Sequence, residues 1–147
     1  GGGHVLQHVL TDLGIQFGED LRQGLRIEVG DQVFAVAGRE EARMLERVGD
    51  DREQFTLWDQ RFHMALAAAT HNPLMVWIYR QINEVRGHTQ WSKAKDKVLT
   101  PSRIAGYNAQ HRALFEAVQS RDPDTALDLI TRHLTEARRD LVGAPSH

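Results

Sequence analysis

The sequence contains no cysteine. That excludes a disulfide scaffold, a Cys-ligated zinc finger and a thiol nucleophile. It has no apolar run near the ~18–20 residues a membrane span needs, and no charged start followed by an apolar stretch that would read as a signal peptide. The expectation is a cytoplasmic protein with no membrane partner. An excess of one charge is also missing. Eighteen basic residues face twenty acidic ones for a net charge of −2, so no basic surface for nucleic-acid backbones covers the chain. Low-complexity segments and internal repeats are absent. At 147 residues the chain reads as one domain able to bury roughly two-thirds of its unfolded surface.

Prolines number four, and three of them act as punctuation. Asn72-Pro73, Thr100-Pro101 and Asp122-Pro123 each pair a capping side chain with proline at a first helical position. They divide residues 51–142 into four helices, at about 51–70, 73–97, 101–119 and 123–142. Residues 39–48 form a short helix ended by Gly49. Upstream, Leu6, Val9, Leu10 and Leu13 fit a helical face, and so do Leu25, Val29, Val33 and Val36. The valine-rich stretch 26–37, with Gly30, also admits a strand. The whole is read as an all-α, antiparallel bundle of six to seven helices. Gly1 to Gly3 read as a processing or cloning remnant or the end of a linker.

What is plentiful is histidine, at eight, and imidazole is the commonest transition-metal ligand where thiolates are missing. At about 100° per residue, the 51–70 helix carries an apolar stripe of Phe55, Trp58, Phe62, Leu66 and Ala69, flanked by Asp59 and His63 one turn apart. In the 101–119 helix His111 falls among Ile104, Tyr107, Leu114, Phe115 and Val118. In the 123–142 helix His133 lies at the edge of Ala126, Leu127, Ile130, Leu134, Ala137 and Leu141. One carboxylate and three imidazoles thus point inward from three helices. Burying them singly is costly. A divalent cation resolves the cost, and Asp plus three His suits Zn²⁺ best, with Ni²⁺, Mn²⁺, Co²⁺ or Fe²⁺ also compatible. The faces alone leave open a satisfied polar cluster instead.

The other histidines carry less. His4 and His8 sit near a frayed terminus, His71 precedes a cap as a solvated turn residue, and His147 is terminal. His88 shares a face of the 73–97 helix with Leu74, Gln81, Val85 and Ser92. Gln81, His88 and Ser92 then read either as the lining of an effector cavity or as a half-exposed helix end, with Arg80 a further partner for a carboxylate. Trp58, Trp77 and Trp91 read as core or interface residues, and Arg132, Arg138 and Arg139 as a solvated face.

Four strings carry a family resemblance: Trp-Asp-Gln-Arg-Phe-His (58–63), Ala-Thr-His-Asn-Pro-Leu (69–74), Gln-His-Arg-Ala-Leu-Phe-Glu-Ala-Val (110–118), and Arg-Asp-Pro-Asp-Thr-Ala (121–126) with Arg-His-Leu (132–134). Together they resemble the FCD ligand-binding domain of the FadR branch of GntR-type bacterial transcription regulators, over roughly residues 20–142. The resemblance implies an antiparallel helical bundle holding a divalent metal through Asp59, His63, His111 and His133. It also implies a small carboxylate effector at that metal and a homodimer. Gln110 stands where the family usually has glutamate, a departure next to the His111 position. Such regulators also carry an N-terminal winged-helix DNA-binding domain, and no basic helix-turn-helix pattern occurs in residues 1–19.

The resulting expectation is a metal-binding effector-sensing domain over residues 20–143. Residues 1–19 are read as a linker or the remnant of an N-terminal helix. DNA would be contacted only through a winged-helix domain absent from this chain, and no catalysis is expected. Two alternatives stand beside it: a metal-dependent hydrolase or lyase using an open metal position, and a structural metal site or dimerisation module. The enzyme reading lacks an evident general base beside the ligands.

Overall fold

The computed structural model describes residues 2–25, 31–86 and 89–142, and within them every regular element is a helix. Seven helices follow in order: α1 (Gly2–Leu25), α2 (Asp31–Arg47), α3 (Arg52–Ala69), α4 (Pro73–Arg86), α5 (Thr89–Val98), α6 (Pro101–Gln119) and α7 (Pro123–Val142). None is long and apolar enough to cross a membrane.

The predicted punctuation sets the helix ends. The Asp51 side chain accepts from the Gln54 backbone N–H at 3.1 Å and opens α3. Asn72 Oδ1 accepts from Leu74 N at the head of α4, and Thr100 Oγ1 accepts from Arg103 N at the head of α6. Asp122 takes both the backbone N–H and the hydroxyl of Thr125. Each bond satisfies a donor that the first turn leaves without an intrahelical acceptor. The chain leaves α3 and α6 through left-handed residues that are not glycine, His71 (φ 55°) and Arg121 (φ 57°), a conformation costing roughly 1–2 kcal/mol outside glycine.

One sequence expectation needs correction. Residues 73–86 and 89–98 are helical as expected, as α4 and α5, and residues 87–88 between them lie outside the described residues. The helix expected at 39–48 starts earlier, at Asp31. The strand alternative therefore fails for residues 31–37, and the rest of that stretch, residues 26–30, lies outside the described residues. Branched valines lower helix propensity by only a few tenths of a kcal/mol each, which packing overrides.

α1 packs along α7 and crosses α3. α2 lies against α3 and α6, and α6 packs on α7. Phe17 and Leu21 of α1, Phe62 and Leu66 of α3, Ile104 and Leu114 of α6 and Ile130 of α7 are essentially inaccessible, each contributing on the order of 1.5–3 kcal/mol of transfer free energy. The α1–α3 crossing is close. A Cβ on Gly24 would lie 1.9 Å from the Ala69 carbonyl oxygen. Nearby, Asn72 Nδ2 donates to Asp20 Oδ2 at 3.0 Å and pins the α3–α4 turn to α1.

The inner face of α4 differs from the periodicity reading. Met75 and Tyr79 are buried, whereas Leu74, Trp77 and Val85 are 61%, 55% and 55% exposed. A stripe of apolar residues marks a face that wants cover. It does not say which of two such faces the core takes.

On α2, burial pushes the Glu41 carboxyl above its ordinary value, and its Oε2 is buried with no hydrogen-bond partner among the described residues. A raised folded-state value adds stability below the unfolded value of about 4.5, and that stability is lost as pH rises through the folded value. Glu41→Gln is therefore expected to raise the thermal midpoint at pH 7. The gain should shrink to nothing as pH is lowered toward 4, as read by unfolding scans across that range.

Candidate metal centre

Three helices bring the polar residues of the core together. Asp59 and His63 sit one turn apart on α3, His111 lies midway along α6, and His133 midway along α7. All four are buried, at 6%, 3%, 1% and 4% exposure. Their positions follow from the helix faces. Phe55, Phe62 and Leu66 turn that side of α3 inward, while Tyr107 and Leu114 bracket His111, and Ala126 and Ile130 precede His133 on the buried side of α7.

The donor atoms converge. Asp59 Oδ1 lies 3.1 Å from His63 Nε2 and 3.0 Å from His111 Nε2. His133 Nε2 lies 3.2 Å from each of the other two Nε2 atoms. One donor atom from each of the four residues falls within 4.8 Å of every other. The rings are fixed by their neighbours. His63 stacks between Tyr79, at 5.9 Å and 17°, and His133, at 5.1 Å and 13°. Phe62 and Phe55 flank His111 at 5.2 and 6.1 Å.

Three imidazole nitrogens and one carboxylate oxygen, all facing one point, form an N3O set suited to a divalent transition metal. Aromatic neighbours and low exposure set the donors in a low-dielectric surrounding, which strengthens charge interactions there. A buried carboxylate ringed by imidazoles is also costly to maintain without positive charge. The residues present therefore fit a bound cation, held through Asp59 Oδ1 and the Nε2 atoms of His63, His111 and His133.

Around this cluster lie Gln110, which sequence reading marked as a departure, and Glu136 and Asp140, which it did not single out. Gln110 Oε1 is 2.6 Å from His133 Nδ1, and Gln110 Nε2 donates to Glu136 Oε2 at 2.6 Å. Tyr107 donates its hydroxyl proton to Asp140. Burial first, and the Asp140 carboxylate second, hold that phenol well above its ordinary value, so it stays a donor. The sequence signal for these was spacing alone: Gln110 lies three residues after Tyr107, and Glu136 three after His133.

Of the remaining expected site residues, Arg80 and Gln81 do not join the four. Arg80 and Gln81 lie on the exposed side of α4. His88 lies outside the described residues. Ser92 is placed on α5, with its side chain outside the description. His71 is exposed in the α3–α4 turn. Of the tryptophans, Trp58 is partly buried under the Arg61 guanidinium at 4.7 Å, Trp77 is exposed, and the Trp91 side chain lies outside the description.

A family model described as the FCD domain matches residues 30–136, a span that includes all four donor residues. No curated protein matches the chain.

Proposed function

The chain belongs to the FCD domain family, the C-terminal domain of GntR-type regulators, and from that premise we propose that it senses a small carboxylate effector at a divalent metal. The observation that carries this reading is the convergence of Asp59, His63, His111 and His133 in a buried core. The metal of choice is Zn²⁺, with Ni²⁺, Mn²⁺, Co²⁺ or Fe²⁺ compatible with the same donors. When bound, it would supply positive charge and, with a coordination shell expanded beyond the four protein donors, a further position that an anion can fill. We assign residues 20–143 to the sensing domain and residues 1–19 to an N-terminal helix remnant that packs onto it through Phe17. We place the whole in a cytoplasmic regulator of the FadR branch, bacterial in source, whose winged-helix domain makes the DNA contacts.

Sensing requires the effector to bind two arrangements of the bundle unequally. Three of the bundle's helices meet at the four donors, so an anion arriving there acts on their mutual packing. GntR-type regulators are typically dimers, and Leu74, Trp77 and Val85 along α4 offer apolar surface for a contact between two copies. Light scattering on the purified chain tests that assembly.

The first test is metal content by mass spectrometry on protein purified without an affinity tag, beside His111→Ala. About one transition metal per chain, lost in the variant, is expected. Calorimetric titration with small hydroxy acids and dicarboxylates should then show binding to the metal-loaded chain and none to the chelated chain or to His111→Ala. Arg80→Ala and Gln81→Ala report whether the effector reaches α4. Turnover of a small ester or acid by the loaded chain would replace sensing with hydrolysis or lysis.

A further inference from the structure

The four donors are not equivalent, and their hydrogen bonds show why. A carboxylate only accepts, so the Gln110 group facing Glu136 is its NH₂. The Gln110 carbonyl oxygen then faces His133 Nδ1 at 2.6 Å. An amide oxygen also only accepts, so Nδ1 of His133 carries the ring proton. In the neutral ring Nε2 of His133 is left with a lone pair, aimed at the other two Nε2 atoms.

His63 and His111 are set the other way. Their Nε2 atoms lie 3.1 and 3.0 Å from Asp59 Oδ1, again an acceptor, so those nitrogens carry protons in the metal-free chain. Nδ1 of His63 is buried with no hydrogen-bond partner among the described residues, so nothing there holds the opposite tautomer. Before any cation arrives, the cluster contains one imidazole ready to ligate and two that must first give up the Nε2 proton.

We infer that Gln110, oriented by Glu136, is a positioning residue that locks His133 in its Nδ1–H tautomer, making His133 the pre-set ligand of the cluster. The amide does this without adding charge. A single carboxylate, Asp59, then faces a divalent ion among neutral imidazoles, and the site keeps net positive charge for an anionic effector. Hydrogen bonding at the outer nitrogen of a ligating histidine is worth ~10–100-fold in metal affinity.

Histidine ¹⁵N spectroscopy on the chelator-treated chain reads the tautomers directly. His133 is expected protonated at Nδ1, with His63 and His111 protonated at Nε2. Gln110→Leu keeps the size of the side chain and removes the acceptor. It should shift His133 toward the Nε2–H form and weaken Zn²⁺ binding by roughly 10–100-fold, with the thermal midpoint of the metal-free chain little changed. The exchanged pair Gln110→Glu, Glu136→Gln restores both an acceptor for Nδ1 and a donor to hold it, and should restore the Nδ1–H form. His133 protonated at Nε2 in the wild type, or an identical tautomer in Gln110→Leu, overturns the inference. So does a shifted tautomer with unchanged zinc affinity. The zinc arm rests on the metal reading proposed above and the tautomer arm does not: a wild type that binds no zinc refutes that reading, while the spectra still decide the lock.

Discussion

Saturating Zn²⁺ is expected to raise the thermal midpoint of the wild-type chain by roughly 10–15 °C and to leave Asp59→Ala where it was. Binding to the folded state alone stabilises by about 4 kcal/mol at a free concentration a thousandfold above Kd, and a chain of this length moves about 3 °C per kcal/mol. Asp59 is the telling position because its Oδ1 touches both His63 and His111. Removing it takes away the only carboxylate among the four donors and opens a gap between two rings. Asp59→Asn separates charge from space. It retains the shape and an oxygen but loses the negative charge, so its zinc-induced shift should fall between wild type and Asp59→Ala. A wild type whose midpoint ignores zinc, nickel and manganese alike would reduce the four residues to a hydrogen-bonded polar cluster.

The second large effect lies far from those donors. Gly24→Ala is expected to destabilise the chain by roughly 3 kcal/mol or more, at the upper end of what an added methyl costs in a packed interior. The methyl would meet the Ala69 carbonyl oxygen at 1.9 Å, with Ala69 C and Thr70 Cα both at 2.9 Å. Those are backbone atoms at the end of α3, so the clash cannot be relieved by turning a side chain. α1 would have to lift from α3, disturbing the Asn72–Asp20 bond as well. Gly106→Ala is the control. It lies exposed in α6 with nothing within 4 Å of its Cβ position, and alanine there should stabilise by roughly 0.5–1 kcal/mol. Chemical denaturation of the two variants beside wild type checks both signs at once.

How much of this was legible beforehand depends on the kind of information each feature needs. The bounds of α3, α6 and α7 were readable because they are local. Asp51, Thr100 and Asp122 bond to backbone three residues away, and proline stands where a helix can tolerate it. The four donors were readable because helical period alone puts them on faces rich in Phe, Leu and Ile. α4 was not, because its two apolar faces are nearly equal. Met75 and Tyr79 win the core, while Leu74, Trp77 and Val85 remain outside, and only the packing partners decide between them. The role of Gln110 was hidden for a related reason. It arises from Glu136, 26 residues away, on a helix whose rotation about its axis no spacing rule supplies.

The glycines of α1 also bear on how movement travels through the molecule. A methyl at Gly18 would press on Leu127 Cδ1 at 2.7 Å and Thr131 Oγ1 at 2.9 Å, on the helix that bears His133. Six residues further along, Gly24 is fitted to the end of the helix that bears Asp59 and His63. These are joints without clearance. Close-packed contacts transmit displacement instead of absorbing it. A change in spacing between α3 and α7 cannot be taken up as slack beside α1, so α1 must tilt or slide with them. Displacement between the helices that bear the donors is thereby passed to α1, a helix that supplies none of them.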